Sequence, residues 1–121
     1  MDVSSKSEAP SLSRGDGLVS TILHSERDAS DTDLTVTWVD VDPDASQVVH
    51  SHEPEQVYVI VAGEGVMTLD DETRPVEAGD LIHIPPNTDH GIENTGTETL
   101  EYVSAATPAF DSADVEEFYE G

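Results

Sequence analysis

Cysteine is absent from the 121 residues, which removes disulfides, thiolate metal ligands and cysteine nucleophiles from consideration. Cations are almost as scarce. Lys6, Arg14, Arg27 and Arg74 stand against 27 acidic residues, for a formal charge of -23. With so little to neutralise phosphates, nucleic acid is not an expected partner. Long apolar runs are missing as well: nothing approaches the roughly 20 residues of a membrane-spanning helix. The opening "MDVSSKSEAPSLSRGDG" lacks the apolar core of a secretory leader. The expectation is a soluble cytoplasmic protein with no membrane partner. Aromatics are few, with two Phe, three Tyr and one Trp, so the core of this single small domain must be mostly aliphatic, as in a small barrel or sandwich.

The acidic residues are spread along the chain instead of gathered in one block. Their mutual repulsion opposes compaction at low ionic strength, whereas molar salt shortens the Debye length to about 3 Å and removes most of that penalty. The pattern predicts a solvated acidic surface suited to a high-salt cytoplasm, as in a halophile. An acidic surface for a protein partner is the competing explanation.

Residues 1–16 are rich in Ser, Gly, Asp and Pro and carry no periodicity, which predicts a mobile arm. From "GLVSTILH" onward, β-branched runs alternate with Gly, Pro, Asn and Asp clusters, the rhythm of an all-β sandwich or barrel. Strands are expected near 18–24, 34–41, 47–52, 56–61, 66–70, 73–76, 81–84, 91–93 and 99–105. "AGEG" at 62–65 and "EAGD" at 77–80 are hairpin-turn signals, since their glycines accept positive φ. The barrel is expected to close near 107. Residues 108–121 form an acidic tail in which "ADVEEFYE" predicts a short helix capped by Asp111 or Ser112.

Two stretches carry candidate chemistry. In "HSH" at 50–52, strand alternation sends His50 and His52 to the same face, where two imidazoles can converge on one ion. An isolated pair of this kind is weak, because histidines so spaced are more often incidental than ligating. In "GDLIHIPPNTDHGIEN" at 79–94, Pro85 and Pro86 fix φ and Asn87 tolerates a left-handed backbone, so the direction of His90 is well defined.

Together the two stretches resemble the cupin family, whose motifs read G-x5-H-x-H-x3,4-E-x6-G and G-x5-P-x-G-x2-H-x3-N. His50, His52, Gln56 and Gly63 fall on the first motif; Gly79, Pro85, Asn87, His90 and Asn94 fall on the second. The short spacer of residues 64–78 is similar to that of small single-domain conserved-barrel cupins. The resemblance implies a double-stranded β-helix, or jelly-roll barrel, over residues 17–107, and a homodimer. It also implies one divalent metal ion (Zn, Fe, Mn or Ni) held by His50, His52, Gln56 and His90. Asp44 and Asn87 replace motif glycines, and Gln56 stands where the motif has glutamate.

Glu55 and Glu53 alternate away from the ligand face, so neither is expected to substitute for Gln56. The glutamine oxygen is a neutral ligand, and a His-His-Gln-His set occurs in some cupins of sugar-acid metabolism. Such a set implies non-redox Lewis-acid chemistry, isomerisation or decarboxylation, on a small sugar or carboxylate. An Fe(II) dioxygenase and a non-catalytic small-molecule-binding cupin are the alternatives. Tyr58 shares the parity of Gln56 and is the speculative proton carrier, a core tyrosine being the plainer role. His83 is expected to be a packed histidine, Trp38 and Met67 to line core or pocket, and Phe110 to fold over a barrel end. His24 carries no assignment.

The charge argument has a direct check. The melting temperature should climb steeply between about 0.1 M and about 2 M potassium chloride, where screening becomes effective at ever shorter range. A flat curve would remove self-repulsion as a factor in stability.

Overall fold

The structure, a computed structural model, describes residues 1–13, 17–25, 32–51 and 53–108. Ten strands form two antiparallel sheets: β1 (Ser11–Ser13), β2 (Leu18–His24), β3 (Thr35–Val41), β4 (Ser46–His50), β5 (Glu55–Ala62), β6 (Glu64–Leu69), β7 (Glu72–Glu77), β8 (Leu81–Ile84), β9 (His90–Asn94) and β10 (Leu100–Thr107). The larger sheet runs β1-β2-β3-β10-β5-β8 and the smaller β4-β9-β6-β7. This all-β architecture is the jelly-roll barrel that the strand rhythm and motifs predict. None of the described residues forms a helix long and apolar enough to cross a membrane.

Alternation decides what faces inward. On β3, Thr35, Thr37, Val39 and Val41 are buried while Val36, Trp38 and Asp40 are only partly so. On β10, Leu100, Tyr102, Ser104 and Ala106 are buried, and on β5 Gln56, Tyr58 and Ile60. The interior is therefore graded. Leu18, Val41, Ile60, Met67, Ile92 and Leu100 belong to an apolar cluster, whereas Thr35, Thr37, Gln56, Ser104 and His90 supply buried polar groups toward the other ends of the same strands. An apolar half stabilises the barrel through area removed from water, which leaves the polar half available for binding.

Turn residues behave as their backbone preferences require. Asp44 and Asn87, the substitutes for motif glycines, both take positive φ, at 67° and 57°, as short polar side chains can. Both hairpin expectations are corrected. Gly63 (φ 82°) and Gly79 (φ 97°) do turn the chain, but β5 and β6, like β7 and β8, lie in different sheets, so these turns cross the barrel. The tight hairpin is β6–β7, where Leu69 pairs with Glu72 across Asp70 and Asp71. Asp70 has φ 52°, and a turn with no glycine carries no obvious signal.

The segment expected to be a mobile arm is attached at two points. Ser11–Ser13 pairs with β2, and Lys6 bridges Asp40 and Glu101, each at 3.0 Å. The Lys6 ammonium also lies 5.0 Å from the centre of the Trp38 ring, and the indole N–H donates to Glu101 at 3.1 Å. Trp38 thus sits on the outer face, contrary to the core or pocket position expected for it, while Met67 is buried as expected. Burial raises the Asp40 carboxyl against the pull of Lys6, and the hydrogen bond from Lys6 holds the Glu101 carboxyl below its usual range. The expected C-terminal helix, its caps and Phe110 lie outside the described residues.

Asn94 closes the apolar end of the barrel. Its Nδ2 donates to the carbonyls of Val41 (2.9 Å) and Glu98 (2.8 Å), and its Oδ1 accepts from the Gly96 N–H at 2.9 Å. The side chain ties β3 and β9 to the following turn while leaving no buried group unsatisfied. Asn94→Ala should cost roughly 2–4 kcal/mol in denaturant unfolding at high salt, because it orphans several backbone groups at once. A loss below about 1 kcal/mol would show that solvent replaces this staple.

Candidate metal centre

The polar half of the barrel gathers side chains from β4, β5, β9 and β10. On β4, Gln47 pairs with Ile92 and His50 pairs with His90. Three steps along one strand thus match two along the other, which is a β-bulge. Simple alternation from buried Gln47 would turn Val49 inward and His50 outward. The bulge reverses this: Val49 is 52% exposed, and the His50 ring lies 4.3 Å, centre to centre, from that of His90. The expectation of one strand through residue 52 is corrected, since β4 ends at His50. His52 lies outside the described residues.

His90 is 1% exposed, and its Nδ1 lies 2.8 Å from the Thr88 carbonyl. That carbonyl can only accept, so Nδ1 carries the proton and Nε2 presents a lone pair. Burial pushes the His90 pKa down, against the upward pull of the Thr88 carbonyl and Asp89, which keeps the ring neutral as a ligand must be. The ProPro segment and left-handed Asn87 lead into Thr88, so the sequence does aim this imidazole.

Gln56 is 4% exposed. Its Nε2 donates to Ser104 Oγ on the neighbouring strand at 3.2 Å, which fixes the amide. Gln56 Oε1 is buried and accepts no hydrogen bond from any described residue. His50 Nε2 and His90 Nε2 are buried atoms too. Glu55 faces the other way, and its Oε2 lies 2.6 Å from His83 Nε2 on the outer surface. This excludes Glu55 as a substitute ligand, and it corrects His83 from a packed to an exposed histidine. His24 meets Thr32 Oγ1 at 2.7 Å, apart from the motif residues.

Tyr58 points inward as its parity predicts. Its ring meets His90 edge-on at 5.8 Å and stacks on Tyr102 at 4.4 Å. Ser104 went unnoticed in the sequence. Its signal was available: a small hydroxyl residue at an inward position of β10, between Tyr102 and Ala106, where an aliphatic residue would fill the core.

The residues fit a divalent ion. Two neutral imidazoles and an amide oxygen are appropriate donors, and burying that oxygen without a partner costs about 1–3 kcal/mol unless a ligand takes it up. Among the described residues no three His, Cys, Asp or Glu side chains gather as a metal cluster; the described donors are two histidines and a glutamine.

A cupin-domain family model matches residues 37–106, more than half of the chain. The chain belongs to the cupin family. By sequence it is similar to the oxalate-binding protein of Thermotoga maritima, 38% identical over 63 residues, 51% of this chain and 52% of that one. It spans about half the length of the relatives it matches in this way. A structure of a predicted oxalate decarboxylase from Thermotoga maritima is 25% identical with a TM-score of 0.77, covering 88% of this cupin and 99% of that chain. KdgF from Halomonas sp. shares the fold at 23% identity and a TM-score of 0.79, with coverage of 93% and 99%.

Ser104 acts only through Gln56, so Ser104→Ala leaves every candidate ligand in place while freeing the amide to rotate. Zinc or nickel affinity, measured calorimetrically at high salt, should fall roughly 10- to 100-fold, as when other outer partners of metal ligands are removed. Unchanged affinity would mean that the amide of Gln56 takes no part.

Proposed function

We propose that this cupin is a metal-dependent enzyme acting on a small oxygen-rich carboxylate or sugar by non-redox chemistry, isomerisation or decarboxylation. The observation that carries this reading is the buried Gln56 oxygen on the inward face, its amide fixed by donation from Nε2 to Ser104 Oγ, where the family motif has an anionic glutamate. His50, His52, Gln56 and His90 would hold a divalent ion with neutral donors only, and that ion, its +2 charge unbalanced by the protein, would supply strong Lewis-acid polarisation of a substrate oxygen.

The chain's own residues do the rest. His90 is held in one tautomer by Thr88, Gln56 in one orientation by Ser104, and the barrel wall excludes water from both. Tyr58, edge-on to His90, carries a phenol on the same inward face as Gln56, and its role is to deliver or remove a proton at the substrate carbon. The oxalate-binding protein and predicted oxalate decarboxylase among its relatives support short carboxylates as the substrate class. The first of these names also favours a second reading, in which this cupin binds such an acid without turning it over.

Metal content after purification in high salt and reconstitution is the first measurement. His90→Ala should weaken metal binding by more than the roughly 10- to 100-fold typical of an outer partner, and Gln56→Glu should retain metal but slow turnover by reducing its Lewis acidity. Short carboxylic acids, uronates and keto sugars incubated with metal-loaded protein under nitrogen then test the reaction. Product formation abolished by Tyr58→Phe supports the enzyme; tight binding of the acid with no product supports the binding protein instead. Undiminished metal affinity in His90→Ala would end both.

A further inference from the structure

Arg74 is one of four basic residues beside 27 acidic ones, yet among the described residues it forms no ion pair and no hydrogen bond through its side chain. Lys6, by contrast, satisfies two carboxylates. Arg14 and Arg27 lie outside the described residues, so among the described cations Arg74 alone has no partner, in a chain of formal charge -23. Its position supplies a physical reason. Arg74 pairs with buried Met67 across β6–β7 and lies two residues from buried Val76, so strand alternation gives it the same face as those core residues, at an edge strand where its own side chain is exposed.

Arg74 lines a cavity of about 270 Å³ between the free edges of β7 and β8, together with Met67, Leu69, Val76 and Ile82. Leu69 is the cross-strand partner of His90, so one lining residue of the cavity also neighbours the candidate metal centre. Two carboxylates also border this space, Glu72 and Asp80. Asp80 is engaged by the Glu77 N–H at 2.9 Å, and neither pairs with Arg74. The lining is mixed, with His83 beside the two carboxylates and the apolar side chains, and within it the planar guanidinium is the group suited to bidentate recognition of a carboxylate.

We infer that Arg74 anchors the carboxylate of a small acid in this seam cavity, leaving the oxygen-bearing opposite end of the ligand directed along Leu69 toward His90. The ligand class is a short hydroxy- or keto-acid or an acidic sugar, and the cavity discriminates it from the uncharged analogue. The link to His90 rests on the proposed function; anion recognition by Arg74 rests on the cavity and the strand register alone.

The test compares wild type, Arg74→Gln and Arg74→Lys, with folding checked by circular dichroism, at the lowest potassium chloride concentration that keeps each folded. Binding of pyruvate, oxalate and galacturonate is measured by ligand-observed NMR against the methyl ester of galacturonate, with protein both zinc-loaded and chelator-treated. Wild type should prefer galacturonate to its ester. Arg74→Gln should lose roughly 10- to 100-fold in affinity for the acids and none for the ester, with zinc content unchanged and partial recovery in Arg74→Lys. Equal affinity of wild type and Arg74→Gln for the acids, or no acid binding by wild type at millimolar concentrations, overturns the assignment. Acid binding that needs Arg74 but not zinc upholds the anchor and counts against the metal-dependent reading; binding that needs zinc but not Arg74 does the reverse.

Discussion

A buried amide oxygen with no hydrogen-bond donor is costly, and among the described residues that cost falls on Gln56. The group is tolerable only if its orientation is fixed and something outside the protein's own hydrogen bonds completes it. Ser104 supplies the first condition through the amide nitrogen. The same constraint explains why Thr88 must hold the His90 ring and why a bulge must bring His50 over to that ring. Gln56 and His90 are each positioned by a partner one shell further out, and the apolar half of the barrel provides the stiffness that makes such positioning durable.

Acidity and binding are kept apart in this fold. Most carboxylates stand on outward positions or in turns, where they cost nothing to solvate, while the inward residues of the polar half are neutral. At the seam between the two sheets the exposed Arg74 stands beside Glu72 and Asp80. The buried polar half thus keeps negative groups away from Gln56 and His90, where a field of like charge would repel an oxygen-rich ligand.

Much of this architecture was legible before any coordinates. Period-two alternation located nine strands to within a few residues, and Asn87 was recognisable as a left-handed turn residue because short polar side chains tolerate that backbone. The failures have physical causes. The glycine turns at 63 and 79 were visible, but whether a turn closes a hairpin or crosses between sheets is decided by long-range packing that local chemistry does not encode. The bulge before His50 cannot be read from residue types, since it depends on register against β9. Trp38 and His83 were misplaced because hydrophobicity suggested burial, whereas Lys6 and Glu55, distant or outward-facing in sequence terms, gave each an external partner. Pairing of Ser11–Ser13 with β2 was hidden in a polar segment whose pattern gives no strand signal.

The clasp on the outer face has a practical corollary. The chain's one tryptophan is shared between an ammonium from the N-terminal segment and a carboxylate from the last strand, remote from the imidazoles of the interior. Its emission should therefore report whether the N-terminal segment is docked, because undocking removes the ammonium from over the ring.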